Sequence, residues 1–130
     1  MLITPARCTG CRSCEIACAF SHPAKKGGPG KSAIRAFSIK APERGIPVVC
    51  LQCYTAACVE VCPTGALSRD AKTGSINFVE ERCIHCRSCG AACPFGNITF
   101  DEAERVVKCD LCDGNPRCAQ FCPTQALTYV

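Results

Sequence analysis

Sixteen cysteines fall into four groups of four, and the spacing hardly changes from group to group. The first reads Cys8-x2-Cys11-x2-Cys14-x3-Cys18 and the second Cys50-x2-Cys53-x4-Cys58-x3-Cys62-Pro63. The third reads Cys83-x2-Cys86-x2-Cys89-x3-Cys93-Pro94 and the fourth Cys109-x2-Cys112-x5-Cys118-x3-Cys122-Pro123. This is an internal repeat, and it extends past the cysteines: Cys62-Pro63-Thr64-Gly65-Ala66-Leu67 is echoed by Cys122-Pro123-Thr124-Gln125-Ala126-Leu127. At about 12% of the chain, cysteine exceeds the level at which a cross-linked or metal-stapled scaffold is the first expectation. With no tryptophan, six phenylalanines and two tyrosines in 130 residues, the apolar core must be thin. Something besides burial has to hold such a chain together.

Disulfides and metals are the two ways to do that. Disulfides need an oxidising compartment and hence an export signal. The run Met1-Leu2-Ile3-Thr4-Pro5-Ala6-Arg7 leaves no room before Cys8 for a charged region followed by an apolar stretch. The longest apolar run, residues 46–51, is far too short to span a membrane. The expectation is therefore a cytoplasmic protein without a membrane span, whose thiols stay reduced and available to metal.

The spacing selects the metal. Three cysteines at successive x2 intervals wrap three corners of one [4Fe–4S] cubane, while a fourth, three residues on and followed by proline, ligates the other cluster of a two-cluster fold. The proline suits a chain leaving a helical turn and removes an amide that would otherwise need a partner. Crossed ligation makes clusters come in pairs, so four groups imply four [4Fe–4S] clusters in two pairs. Zinc is the alternative metal, since four-cysteine zinc sites also use C-x2-C pairs, but they do not call for the trailing x3-Cys-Pro. The formal charge of +4 then misleads: four clusters, each contributing −2 with its thiolates, bring the whole to about −4. That balance, and the lack of a basic stripe interleaved with aromatics, argue against a nucleic-acid partner.

Between the groups lie short strand-like pieces. Residues 66–69 and 75–78 flank a turn and read as a hairpin, as do residues 97–100 and 105–108. Residues 34–40 and 47–49 form a third candidate pair, and the chain ends, residues 2–4 and 127–130, a fourth. Residues 14–20, 57–61, 88–93 and 118–121 suit one or two helical turns. Residues 21–32, rich in glycine, proline and lysine, are a loop: either a solvated surface segment or a basic flap that docks on an acidic partner.

Through Cys8-Thr9-Gly10-Cys11-Arg12-Ser13-Cys14-Glu15-Ile16-Ala17-Cys18, Val49-Cys50-Leu51-Gln52-Cys53 and Cys109-Asp110-Leu111-Cys112, the chain resembles the four-cluster, ferredoxin-like iron–sulfur subunits of molybdenum and tungsten oxidoreductases. Its brevity is most similar to the small subunits of tungsten aldehyde oxidoreductase and benzoyl-CoA reductase type complexes. The resemblance implies that the first group pairs with the fourth and the second with the third. Cys8, Cys11, Cys14 and Cys122 would then hold one cluster, and Cys109, Cys112, Cys118 and Cys18 its neighbour. Cys50, Cys53, Cys58 and Cys93 would hold the third, and Cys83, Cys86, Cys89 and Cys62 the last. The fold implied is α+β, with two ferredoxin-like modules, one nested in the other, of short hairpins and short helices. Residues 1–49 and 101–130 would be the outer module and residues 50–100 the inner. The first group departs from the pattern, ending in Cys18-Ala19 rather than a cysteine–proline pair.

The function implied is relay of single electrons between a catalytic subunit, a tungsten or molybdenum pterin enzyme by preference, and a second redox protein, in a hetero-oligomer. A hydrogenase- or formate-dehydrogenase-linked polyferredoxin and, more distantly, a zinc-binding interaction module are the alternatives. No catalytic residues are expected: there is no Ser–His–Asp set or phosphate loop, and every thiol is committed to iron. His85 stands next to Cys86 and is either a donor to a cluster sulfur or a loop filler; His22 is the other histidine. Tyr54, Phe95 and Phe121 stand beside ligands, where packing over a cluster to exclude water is the expected role.

Overall fold

Proline decides how long each helix runs. Helices α1 (Ser13–Ser21), α2 (Ala57–Glu60), α3 (Ser88–Ala92) and α4 (Arg117–Gln120) each carry the third cysteine of a group. In α2, α3 and α4 the helix stops at or just before the x3 cysteine, because a residue preceding proline is driven out of the helical region. Cys18 is followed by Ala19, and α1 alone continues, to end where His22 meets Pro23. Helices this short do not form on their own, so packing and ligation have to supply what propensity cannot.

The coordinates are a computed structural model that describes residues 1–39 and 44–130. Its eight strands pair antiparallel into four two-stranded sheets among the described residues. Strand β1 (Leu2–Ile3) pairs with β8 (Leu127–Thr128), β2 (Arg35–Ile39) with β3 (Arg44–Val48), β4 (Leu67–Arg69) with β5 (Ile76–Phe78), and β6 (Thr99–Phe100) with β7 (Val106–Val107). Two of the turns use one device. Asp70 Oδ1 accepts the amides of Lys72 and Thr73, and Asp101 Oδ1 those of Ala103 and Arg105, so each aspartate builds the bend with its own side chain. Strand β3 begins at Arg44, three residues earlier than the sequence suggests; in a two-stranded ladder every strand is an edge, where Pro47 is tolerated opposite Ala36. The expected end of β2 at Lys40 lies outside the described residues.

The chain divides into two units. The first comprises Met1–Val49 and Asn115–Val130, the second Cys50–Gly114. In the first, α1 packs on α4 around Cys14, Cys18, Ile34, Ala36, Val49, Cys118 and Leu127. Leu127 is 1% exposed, a burial worth about 1.5–3 kcal/mol. In the second, α2 packs on α3 around Ala56, Cys58, Leu67, Ile76, Cys89, Ile98 and Val106. The β6–β7 ladder keeps residues 101–105 with the second unit, which runs on to Gly114. Cysteine makes up part of both cores. The loop after α1 is anchored rather than loose, for Gly30 donates its amide to Ala19 O and Ala33 to Cys18 Sγ. Among the described residues no helix is long and apolar enough to cross a membrane.

Candidate iron–sulfur centres

The loops between the cysteines adopt a backbone that L-residues avoid. In the first group Gly10 and Arg12 have φ of 73° and 60°; in the third, His85 and Arg87 have 58° and 60°. Gln52 stands at the corresponding place before Cys53, and Leu111 before Cys112. Non-glycine residues in this region carry a cost of about 1–2 kcal/mol each. The recurrence at the same offset from the cysteines shows what the strain achieves: left-handed residues curl the loop so that successive sulfurs face one point.

Three cavities lie at those points. One is lined by Cys8, Cys11, Cys14 and Cys122. A second is lined by Cys62, Cys83, Cys86 and Cys89, and a third by Cys50, Cys53, Cys58 and Cys93. Each brings three cysteines of one group to one cysteine of another, from the x3 position. Of the remaining four, Cys18 and Cys118 lie in the core of the first unit, whereas Cys109 and Cys112 belong to the second. No disulfide joins any of the sixteen cysteines.

Amides and hydroxyls surround the sulfurs. The amide of His85 donates to Cys83 Sγ and that of Asn97 to Cys93 Sγ, both at 3.4 Å. Cys11 Sγ lies 3.4 Å from Ser13 Oγ. The Ser13 hydroxyl and amide lower the Cys11 thiol, as those of Ser88 lower Cys86. At Cys62 burial works upward, but the amides of Leu67, Thr64 and Ala66 and the Thr64 hydroxyl outweigh it and bring the thiol down to about 7. Burial pushes Cys14 and Cys109 up to about 11. Since iron binds the thiolate, ligation at those two positions releases protons and weakens as pH falls. Four convergent thiols, donors aimed at their sulfurs and largely apolar walls are what a cubane requires.

Two stretches of the chain, residues 44–130 and residues 7–67, match the 4Fe-4S dicluster domain. The chain belongs to this family. It is similar to the polyferredoxin-like subunit of aliphatic sulfonate oxidoreductase from Pyrococcus furiosus, 45% identical over 124 residues that cover 94% of this chain and 70% of that one. Electron transport protein HydN of Escherichia coli is 38% identical over 149 residues, covering 96% and 83%. The beta subunit of NADH-dependent phenylglyoxylate dehydrogenase from Aromatoleum evansii is 39% identical over 131 residues, covering 97% of this chain and 29% of that one. Two dicluster matches and sixteen cysteines make four [4Fe–4S] clusters its cofactors, and the chain is an electron-transfer iron–sulfur protein.

Several residues near the sulfurs escape sequence reasoning. Lys108 Nζ donates to Cys109 O at 2.9 Å, to Ile76 O at 3.3 Å, and to Gln52 Oε1 and Cys50 Sγ at 3.4 Å. Gln52 braces the same corner, donating from Nε2 to Cys109 O and accepting the Ile76 amide. An ammonium thus rests on a sulfur 58 residues away, and a lysine before Cys109 was the only signal. His22, one helical turn past Cys18, approaches that sulfur with Nδ1 at 4.0 Å. Burial raises the Cys18 thiol, yet the His22 ring, the Ala33 amide and the Ser32 hydroxyl together lower it.

The aromatic residues divide. Phe95 lines the Cys50 cavity. Tyr54 is 99% and Phe121 61% exposed, so neither shields a centre; Leu51 and Ile84 line cavity walls instead. The side chain of His85 is turned to Glu104 O at 3.1 Å, and only its backbone amide reaches a sulfur.

Proposed function

We propose that this protein is the electron-transfer subunit of an oxidoreductase complex, relaying single electrons between a catalytic subunit and a second redox protein. The observation that carries the proposal is the set of cavities in which four thiols converge, three from one group and one from another. Each cubane bound there accepts and releases one electron. The chain's own residues hold the iron through cysteine sulfur, lower selected thiols with amides and hydroxyls, and wall the centres with apolar side chains. The ligand sets that share a cavity are Cys8, Cys11, Cys14 and Cys122; Cys83, Cys86, Cys89 and Cys62; and Cys50, Cys53, Cys58 and Cys93. They make two ferredoxin-like modules, the second inserted in the first, a reading supported by a discontinuous first unit interrupted by a continuous second. The chain has no catalytic residues of its own, and thiols that serve as iron ligands suit the reducing cytoplasm.

The catalytic partner is a tungsten or molybdenum pterin enzyme, by the resemblance of the cysteine motifs and by likeness to a subunit whose name places it in a sulfonate oxidoreductase. Likeness to HydN supports, as a second reading, a polyferredoxin serving another complex. Isolating the chain with its native partners and assaying tungsten, molybdenum and nickel decides between them. About sixteen irons per chain with a brown chromophore is the expected result; stoichiometric zinc without colour, or a lone carrier active without partners, overturns the proposal.

A further inference from the structure

The chain contains one loop twice. Arg7-Cys8-Thr9-Gly10-Cys11-Arg12-Ser13-Cys14 and Arg82-Cys83-Ile84-His85-Cys86-Arg87-Ser88-Cys89 share both arginines, the serine and all three cysteines. A 3-10 turn leads into each, at Pro5–Arg7 and Glu80–Arg82, and a helix starts at each serine. The middle cysteine, Cys11 or Cys86, is exposed in both. Each loop therefore offers a cluster corner to solvent, where an electron can pass to or from another protein.

Their surroundings differ in charge. In the second unit Glu80 and Glu81 stand in the lead-in turn, Arg87 is ion-paired with Glu104 and lies 4.9 Å over the Phe100 ring, and His85 is bonded to Glu104 O. In the first unit the lead-in turn has no acid. Gly45 donates its amide to Cys8 O at 2.7 Å, which sets Arg44 beside the loop. Arg7, Arg12 and Arg44 are exposed, and among the described residues none has a carboxylate partner. Of the unit's two acids, Glu15 is engaged with the Ala36 amide, and Glu43 lies outside the described residues. Before the negative charge of the clusters is counted, the whole unit carries nine Lys and Arg against two acids, a formal +7, where the second carries six against nine, a formal −3.

We propose that the rim of the Cys11 loop, formed by Arg7, Arg12 and Arg44, is the docking face for a redox protein whose contact surface is acidic, and that its twin around Cys86 is not. This rests on the electron-transfer function. Three guanidiniums without a carboxylate partner among the described residues, around an exposed ligand, steer an acidic protein to that corner and raise its encounter rate, whereas in the twin Glu104 pairs with Arg87 and Glu80 and Glu81 share the turn of Arg82. Such steering is screened by salt over a Debye length of about 10 Å at 0.1 M.

The test uses the full chain with its clusters in place and reduced flavodoxin, an acidic protein donor that loses one electron as the chain gains one. Rates are read by stopped flow against ionic strength, with reduced methyl viologen as a small cationic donor in parallel. With flavodoxin the rate should fall about tenfold from low salt to 0.3 M, and about tenfold at low salt in Arg7→Glu and Arg44→Glu. Arg82→Glu, the twin of Arg7→Glu, should stay within about twofold, and methyl viologen should reduce all forms alike. Arg44→Glu lies outside the cysteine loop, and iron content verifies that each variant keeps its clusters. A flavodoxin rate insensitive to salt, or an Arg82→Glu loss equal to that of Arg7→Glu, overturns the docking face. Failure of methyl viologen to reduce the wild-type chain overturns the electron-transfer function instead.

Discussion

The loops at residues 7–14 and 82–89 have nearly the same sequence and the same left-handed φ values at corresponding positions, yet different neighbours support them. Around the first, backbone does the work: Gly45 of β3 lies so close that a Cβ there would sit 2.6 Å from Gly10 N and 2.8 Å from Cys8 Sγ. Around the second, side chains do it, through Glu104, Phe100 and the arginine between them. The cysteine motif thus dictates the turn that wraps iron, and the sequence outside the motif dictates whether the loop is packed by backbone and left basic, or clamped and neutralised. The twins should therefore respond differently to the same perturbation.

The largest effect tests what they share, the dependence on a cysteine from elsewhere in the chain. Cys122→Ala should abolish the centre formed by Cys8, Cys11 and Cys14, and Cys62→Ala the one formed by Cys83, Cys86 and Cys89, each lowering iron per chain by roughly a quarter. Electron paramagnetic resonance assigns the loss, and damage confined to the Cys109 group in Cys122→Ala would break the crossed pairing.

Next comes Gly45→Ala. Its Cβ would meet backbone at Gly10, which cannot yield, so the first unit should lose about 1–3 kcal/mol in denaturant unfolding. Gly90→Ala is the counterpart in the second unit. Its Cβ would approach the Phe100 ring at 3.0 Å, and a ring edge can move, so its cost should be the smaller. Equal costs would show that the two loops are supported alike.

Lys108→Met asks what the cation beside Cys50 contributes. Removing a cation from Cys50 Sγ makes an added electron less welcome, so the potential of the Cys50 centre should fall by roughly 30–60 mV, a factor of about three to ten in a one-electron equilibrium. Lys108→Arg should recover part of the shift, and a redox titration that finds wild-type potentials in both would remove the lysine from this role. The smallest effect belongs to Glu104→Gln. Both partners of its ion pair are more than half exposed, so stability should change by about 0.5 kcal/mol or less. Freed of its partner, however, Arg87 should give the second loop a salt-dependent rate with flavodoxin that the wild-type loop lacks.

Much of this was legible in the sequence because it is local. Cluster number follows from spacings of two to five residues, the hairpins at residues 67–78 and 99–107 from their turn residues, and helix ends from cysteine–proline pairs. What stayed hidden arises across long separations or on the surface. Nothing in Arg44-Gly45-Ile46 announces that the glycine lies on Cys8, and nothing in Val107-Lys108-Cys109 names Cys50 as the lysine's neighbour. Aromatic residues beside ligands read as cover, yet adjacency in the chain does not fix direction, and Tyr54 points into solvent. His85 looked like a candidate donor, but its left-handed backbone and the reach to Glu104 use the ring elsewhere.

The pairing of β1 with β8 bears on how the molecule is made. A ribosome releases Leu2 and Ile3 well before Leu127 and Thr128, so the first unit cannot close until Thr128 has emerged. The second unit is continuous in the chain and is complete once Gly114 has emerged. During that interval Cys8, Cys11 and Cys14 are held in an unfinished site while Cys83, Cys86 and Cys89 already have Cys62 at hand. Vectorial synthesis thus sets an order in which the unit that is continuous in the chain is able to mature ahead of the discontinuous one.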